Sequence, residues 1–262
     1  MAGTPRLLVI AGSDSSGGAG IQADIKTASA FGVYAMTAVT AVTVQDTKSV
    51  HAIHAIPAEI VREQIAACLN DIGADAIKIG MLGSANIVKA VAAALEKHAR
   101  KIPIVLDPVM VSSSGSALLA ENAISALKKY LLPMAMLVTP NLPETKRLTG
   151  IRGARTADIE RAGRKLVAMG AKAALIKGGH STGSTIDDVL VRERGVDIYA
   201  FPRIKTRHTH GTGCTLSTAI ACELAKGQSL PLAIGRAREF VQHAIATAPG
   251  LGKGHGPLNH MQ

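Results

Sequence analysis

Aromatic side chains are nearly absent: they make up 2% of the 262 residues, with no tryptophan, three phenylalanines and three tyrosines. A core must therefore be assembled from Ala, Val, Leu and Ile, which suits parallel strands covered by helices. The same scarcity leaves little to stack on nucleic-acid bases. Lysines and arginines are dispersed, the densest cluster being Arg203-Ile204-Lys205-Thr206-Arg207, so the net charge of +10 points to small anionic ligands and away from nucleic acid. Cysteine is sparse too. Cys68, Cys214 and Cys222 form no C-x-x-C pair and no zinc spacing, and their odd number fits a reducing compartment. No apolar run reaches membrane-spanning length, and a start that passes almost directly into LLVIAG shows neither signal nor transit peptide. A cytoplasmic protein without a membrane partner is the expectation. No composition break, repeat or long linker divides the chain, so residues 1–262 are expected to form a single domain.

What is present alternates. Short apolar strands are expected at residues 6–11, 37–44, 76–79, 104–106, 136–139 and 173–176, and helices at 21–31, 58–71, 85–99, 122–131, 156–169 and 232–247. Repeated strand-helix units imply right-handed crossovers and an α/β fold with a mainly parallel sheet. Residues 188–191 and 197–201 read as an antiparallel pair around Arg194-Gly195, and 50–56 as an extended segment across an entrance. The glycine-rich stretch from Gly12 to Gly20 lacks the Lys-Ser/Thr ending of a P-loop and the spacing of a dinucleotide fingerprint. It reads as a close-approach lid or a substrate wall. Residues 111–117, VSSSGSA, are small and polar enough for a flap.

The residues with chemistry fall where strands end or helices begin, which is where open α/β sheets bind ligands. In Thr209–Leu224, THGTGCTLSTAIACEL, Gly211 and Gly213 remove bulk ahead of a helix whose first N–H groups lack partners. Taken alone, it suits a tight turn as well as an anion site. Cys214 stands where a helix N-terminus would lower a thiol pKa and equip it to accept a proton. Asp24 lies in the expected first turn of a helix, where the dipole favours a carboxylate. Gln45, at a strand exit, offers a donor and an acceptor to a heterocycle, and Met81 reads as pocket wall or as packing. Asp107, directly after an apolar strand, suits hydrated magnesium or a turn cap. Asn141 and Glu144 make either a capping pair or a metal site, and Lys177 beside two glycines suits phosphate.

Seven motifs in order, AGSDSSGGAGIQADIKT, VTVQDT, KIGMLG, LDPVM, TPNLPE, IKGGH and HGTGCTLS, together with the tail GKGHGPLNH, resemble the hydroxymethylpyrimidine/phosphomethylpyrimidine kinases of thiamine biosynthesis over almost the whole chain. The resemblance implies a ribokinase-like three-layer α/β/α fold with a central mainly parallel sheet, commonly in a homodimer. It implies two ATP-dependent phosphorylations, of 4-amino-5-hydroxymethyl-2-methylpyrimidine and then of its monophosphate, with Mg2+ as cofactor. Pyridoxine or pyridoxal kinase, alone or as a second activity, is the competing expectation, because related enzymes phosphorylate a hydroxymethyl group on a similar ring. By matching positions, Gly12, Asp24, Gln45 and Met81 would surround the pyrimidine, with Val109 as an apolar wall. Gly211, Thr212, Gly213 and Cys214 would form the anion hole, Cys214 taking the base position. Asn141, Lys177 and Gly213 would contact ATP, and Asp107 and Glu144 the metal. Arg238 departs from the lysine that relatives often carry, and guanidinium and ammonium groups bind phosphate with different geometry.

Overall fold

Alternate residues of the first strand face opposite ways, and both ways are buried. The structure, a computed structural model, describes residues 3–111, 115, 118–153, 155–180 and 183–261. In β1 (Arg6–Asp14), Leu7, Val9 and Ala11 pack under one helix layer, and Leu8 and Ile10 under the other. The first layer holds α1 (Gly20–Ala30), α7 (Thr212–Ala225) and α8 (Leu230–Ala246), which contribute Ala28, Leu216, Ile220 and Val241 to its core. The second contains α2 (Ala58–Asp71), α3 (Ala85–His98), α4 (Glu121–Ala126), α5 (Leu142–Thr149) and α6 (Thr156–Ala168), anchored by Ile65, Val91, Ile124, Leu148 and Leu166.

Between the layers lies one sheet, in the order β3-β2-β1-β4-β5-β6-β7-β8-β9. Its central strands, β2 (Tyr34–Gln45), β1, β4 (Ala76–Ile79), β5 (Ile104–Leu106), β6 (Leu137–Val138) and β7 (Ala173–Ile176), are parallel. Antiparallel neighbours close the ends: β3 (Val50–Ala55) beside β2, and β8 (Thr185–Arg192) with β9 (Val196–Pro202) beside β7. The expected three-layer α/β fold is therefore present. Winding goes one way from β1 to β2 and the other way from β4 onward, so the switch point is the crevice at the carboxyl ends of β1 and β4.

Several local expectations need correction. The first strand continues past Ala11 to Asp14, because its partner β2 follows it through a bulge between Ala11 and Ser13. Residues 50–55 extend the sheet edge beside β2 and contribute nothing to the lining of the main cavity. The helix expected at 122–131 is α4 followed by a π-helical turn (Leu127–Leu131) and a 3-10 turn (Leu132–Met134). Pro133, which lacks an N–H and cannot continue an α-helix, lies in that last turn. Of the proposed flap, residues 112–114, 116 and 117 lie outside the described residues.

Candidate active site

A cavity of about 690 Å³ opens at the carboxyl ends of the parallel strands. Lining it together are Gly12, Gln45, Met81, Asp107, Val109, Asn141, Glu144, Lys177, Gly211, Thr212, Gly213 and Cys214. Asp24 is not among them. It falls beyond the first turn of α1, and its side chain lies fully buried against Lys78 Nζ (2.8 and 2.9 Å) and Thr218 Oγ1 (2.7 Å). A carboxylate committed to those two donors, inside the protein, does not face the cavity as the ring-binding expectation required.

Backbone shape builds the anion end. Gly211 is the N-cap of α7 at φ 83°, and a Cβ there would stand 1.8 Å from the carbonyl oxygen of Gly18. Only glycine permits both the left-handed backbone and this contact. Thr215 N donates to Gly211 O, while the N–H groups of Gly213 and Cys214, earlier in the same turn, have no intrahelical acceptor and lie at the cavity. Gly12 leaves room of another kind, since a Cβ on it would come within 2.8 Å of Met81 Sδ. Met81 also lines a second cavity of about 370 Å³, walled by Ile53, Leu82, Ile87 and Leu119 among others.

Charges converge beside that helix start. Lys177 Nζ donates to Asp107 Oδ1 at 2.8 Å, and Thr139 Oγ1 donates to the same oxygen at 3.2 Å. Asn141 and Glu144 form a full capping box on α5: Glu144 N donates to Asn141 Oδ1, and Asn141 N to Glu144 Oε2. The capping reading is realised, yet Glu144 also lines the cavity. Burial first, and then the charge of Asp107, raises its carboxyl to about 7, against the opposing pull of Lys177. Two buried carboxylates lining one cavity suit a hard divalent cation. Among the described residues no cluster of three or more His, Cys, Asp or Glu could hold a metal, so a cation here would need water and ligand oxygens to complete its shell.

Cys214 reverses an expectation. Burial pushes its thiol up to about 11, outweighing the pull of Lys78 and the backbone hydrogen bond from Gly20. Lys78, in β4, is a cavity-lining residue that sequence reasoning passed over, because a lysine in a strand ordinarily signals an exposed face. His210 and Asp14 were also passed over, although both stand inside the recognised motifs. His210 Nε2 lies 2.7 Å from Asp14 Oδ2 and 3.4 Å from Gln45 Nε2. Burial opposes ionisation of Asp14, but its bonds to His210 and Ser16 hold the carboxyl below its ordinary value. Arg238 lines the cavity and pairs with buried Asp188 at 3.0 Å. The thiol, a lysine, a helix start and two carboxylates around one opening are suited to moving a phosphoryl group onto a hydroxyl.

Comparison with known proteins gives the same picture. A family model described as phosphomethylpyrimidine kinase matches residues 14–259. The hydroxymethylpyrimidine/phosphomethylpyrimidine kinase of Streptomyces coelicolor is 47% identical over 256 residues, covering 98% of this chain and 94% of the relative. An ADP complex of Bacillus subtilis pyridoxal kinase is 37% identical with a TM-score of 0.92, covering 98% of both chains. The Staphylococcus aureus pyridoxal kinase in complex with AMP-PCP and pyridoxal is 33% identical with a TM-score of 0.90, covering 99% of this chain and 94% of that one.

Proposed function

Because the chain belongs to the phosphomethylpyrimidine kinase family, we propose that it phosphorylates 4-amino-5-hydroxymethyl-2-methylpyrimidine with ATP and then phosphorylates the monophosphate to the diphosphate. The observation that carries this reading is the meeting of Cys214, the first turn of α7 and the Lys177–Asp107 pair at one cavity. The pyridoxal kinases are similar in fold, but their identity is lower than that of the pyrimidine kinase relative. Phosphorylation of pyridoxal is accordingly the second activity to assay.

In the proposed roles, Gly12, Gln45, Met81 and Val109 hold the ring, and Asn141, Lys177 and Gly213 hold ATP phosphates. The substrate hydroxyl oxygen attacks the terminal phosphorus, its proton passes to the Cys214 thiolate, and the bond from that phosphorus to the ADP oxygen breaks. Gly211, Thr212, Gly213 and Cys214 surround the transferring group, and the N–H groups of Gly213 and Cys214 are donors that need no reorganisation as charge develops. Lys177 supplies positive charge from the other side. Asp107 and Glu144 would hold Mg2+, which when bound neutralises charge on the donor phosphates. The three cysteines are free, in keeping with the cytoplasm. The exposed apolar residues Val42, Val44 and Ile53 on the β2–β3 edge favour a homodimer, which light scattering after size exclusion would register.

Purified protein given Mg-ATP and the hydroxymethylpyrimidine should accumulate first the monophosphate and then the diphosphate by mass spectrometry. Pyridoxal phosphate formed with higher kcat/KM than either pyrimidine product would transfer the main assignment to the pyridoxal reading.

A further inference from the structure

We infer that Lys78 is a positioning residue of this site: together with Asp24 it forms a buried ion pair whose positive end is turned toward Cys214 and favours its thiolate. The purpose of that charge depends on the kinase reading, whereas its placement depends on geometry alone. Lys78 sits in β4 among Ala76, Ile77 and Ile79, with no exposed side-chain surface. Its Nζ is 2.8 and 2.9 Å from the two oxygens of Asp24, itself fully buried on α1. A Cβ on Gly80 would lie 2.9 Å from that nitrogen, so the ammonium is carried up to the carboxyl end of the strand.

The pair has a direction. Lys78 lines the cavity alongside Cys214 and Asp107, and Asp24 does not. Thr218 Oγ1 donates to Asp24 Oδ1, and Cys214 precedes Thr218 by four residues on α7. Residues at that spacing stack on one helix face, which sets Cys214 one turn nearer the cavity than the carboxylate. An ion pair this deep contributes little net stability, since well-packed apolar residues of similar size commonly do as well. A cation kept in the middle of a sheet, with its counter-ion behind it, acts chiefly on whatever negative charge appears in front.

The charged groups facing Cys214 are Lys78 from β4, Asp24 from α1, Asp107 after β5 and Lys177 after β7. Burial is the main influence against the thiolate; Lys78 is the largest influence in its favour, ahead of the opposing effects of Asp24 and Asp107. Burial also works against the charge on Lys78, yet the carboxylate of Asp24, followed by Cys214 and Asp107, keeps the ammonium above its ordinary pKa.

The test removes both charges together, so that neither is left alone in the interior. In Asp24→Asn/Lys78→Met, circular dichroism checks the fold, and iodoacetamide labelling is followed by mass spectrometry of the Cys214 peptide, apart from those of Cys68 and Cys222. The labelling rate of Cys214 at pH 8.5 should fall about tenfold, as expected for a thiol pKa raised by about one unit. Turnover should fall in parallel while KM for the ring substrate stays within twofold. An unchanged Cys214 labelling rate in the folded variant overturns the assignment, and so does an equal loss at Cys222. If the methionine version unfolds, Asp24→Asn/Lys78→Gln replaces it; unfolding of both would make the pair a stability element and also overturn the assignment. Wild-type protein that fails to turn over either pyrimidine, but keeps the labelling contrast, refutes the kinase reading and leaves this one standing.

Discussion

Cys214 is held between burial, which disfavours its charge, and Lys78, which favours it. With the thiol at about 11, the thiolate fraction grows throughout the range in which the protein is assayed. In the role of general base it should make kcat/KM rise with pH from 7 to 10. Cys214→Ala should lower turnover by roughly a hundredfold and flatten that profile, with ATP binding by calorimetry retained. Wild-type turnover in the variant would remove the thiol from the mechanism. Glu144 gives a prediction of opposite character. Its carboxyl titrates near 7 in the folded chain against an ordinary 4.5, so the folded state holds the proton more tightly. Stability contributed by that proton is complete below about 4.5 and is lost as pH rises through about 7. At pH 8 without metal, Glu144→Gln should melt higher than wild type, and added Mg2+ should raise the melting temperature of wild type much more than that of the variant. Equal Mg2+ responses would remove Glu144 from the metal site.

Two elements fix the site's shape: the start of α7 and the C-terminal tail. Gly211→Ala would set a methyl against Gly18 O and force the left-handed backbone on alanine. A loss of about 2–4 kcal/mol is expected from denaturant titration, together with a sharp fall in turnover. In the tail, His255 N donates to Thr47 O, His210 N donates to Gly256 O, and His260 Nε2 lies 2.9 Å from Thr215 Oγ1. Burial, aided by Lys26, lowers His260 to about 4, so it stays neutral at ordinary pH. Its contribution to stability is present above about 6.5 and is lost as pH falls toward about 4. His260→Gln should flatten the melting temperature across that window relative to wild type. Elements with local signals were legible in the sequence: α2, β4, β5 and β7 lie where periodicity and flanking glycines or prolines placed them. Less was legible where the deciding partner is remote. Nothing near Asp24 announces Lys78, 54 positions later in the chain, and nothing local to Ser13 and Asp14 shows that β2 will pair with them. The glycine-rich helix start, by contrast, could be read, because its conformational demand falls on its own residues.

At the scale of the whole molecule, the two apolar cores lie on opposite faces of one sheet and share its strands, so neither can be kept once the sheet is lost. Unfolding should be a single transition. Far-UV circular dichroism and labelling of Cys222, fully buried in α7, should give coincident denaturant midpoints. Separate midpoints would divide the chain into two units. The arrangement of open spaces matters at this scale too. Met81 and Leu118 line both the 690 Å³ and the 370 Å³ cavities, and a Cβ on Gly12 would meet the Met81 sulfur first. Met81 thus stands between the chamber that holds the charged groups and an alcove walled by Ile53, Leu82, Ile87 and Leu119. Compounds that carry a ring on one side and a greasy arm on the other have a route to selectivity here: with Met81 trimmed to alanine, calorimetry should show such a ligand binding more tightly than it does to the natural protein.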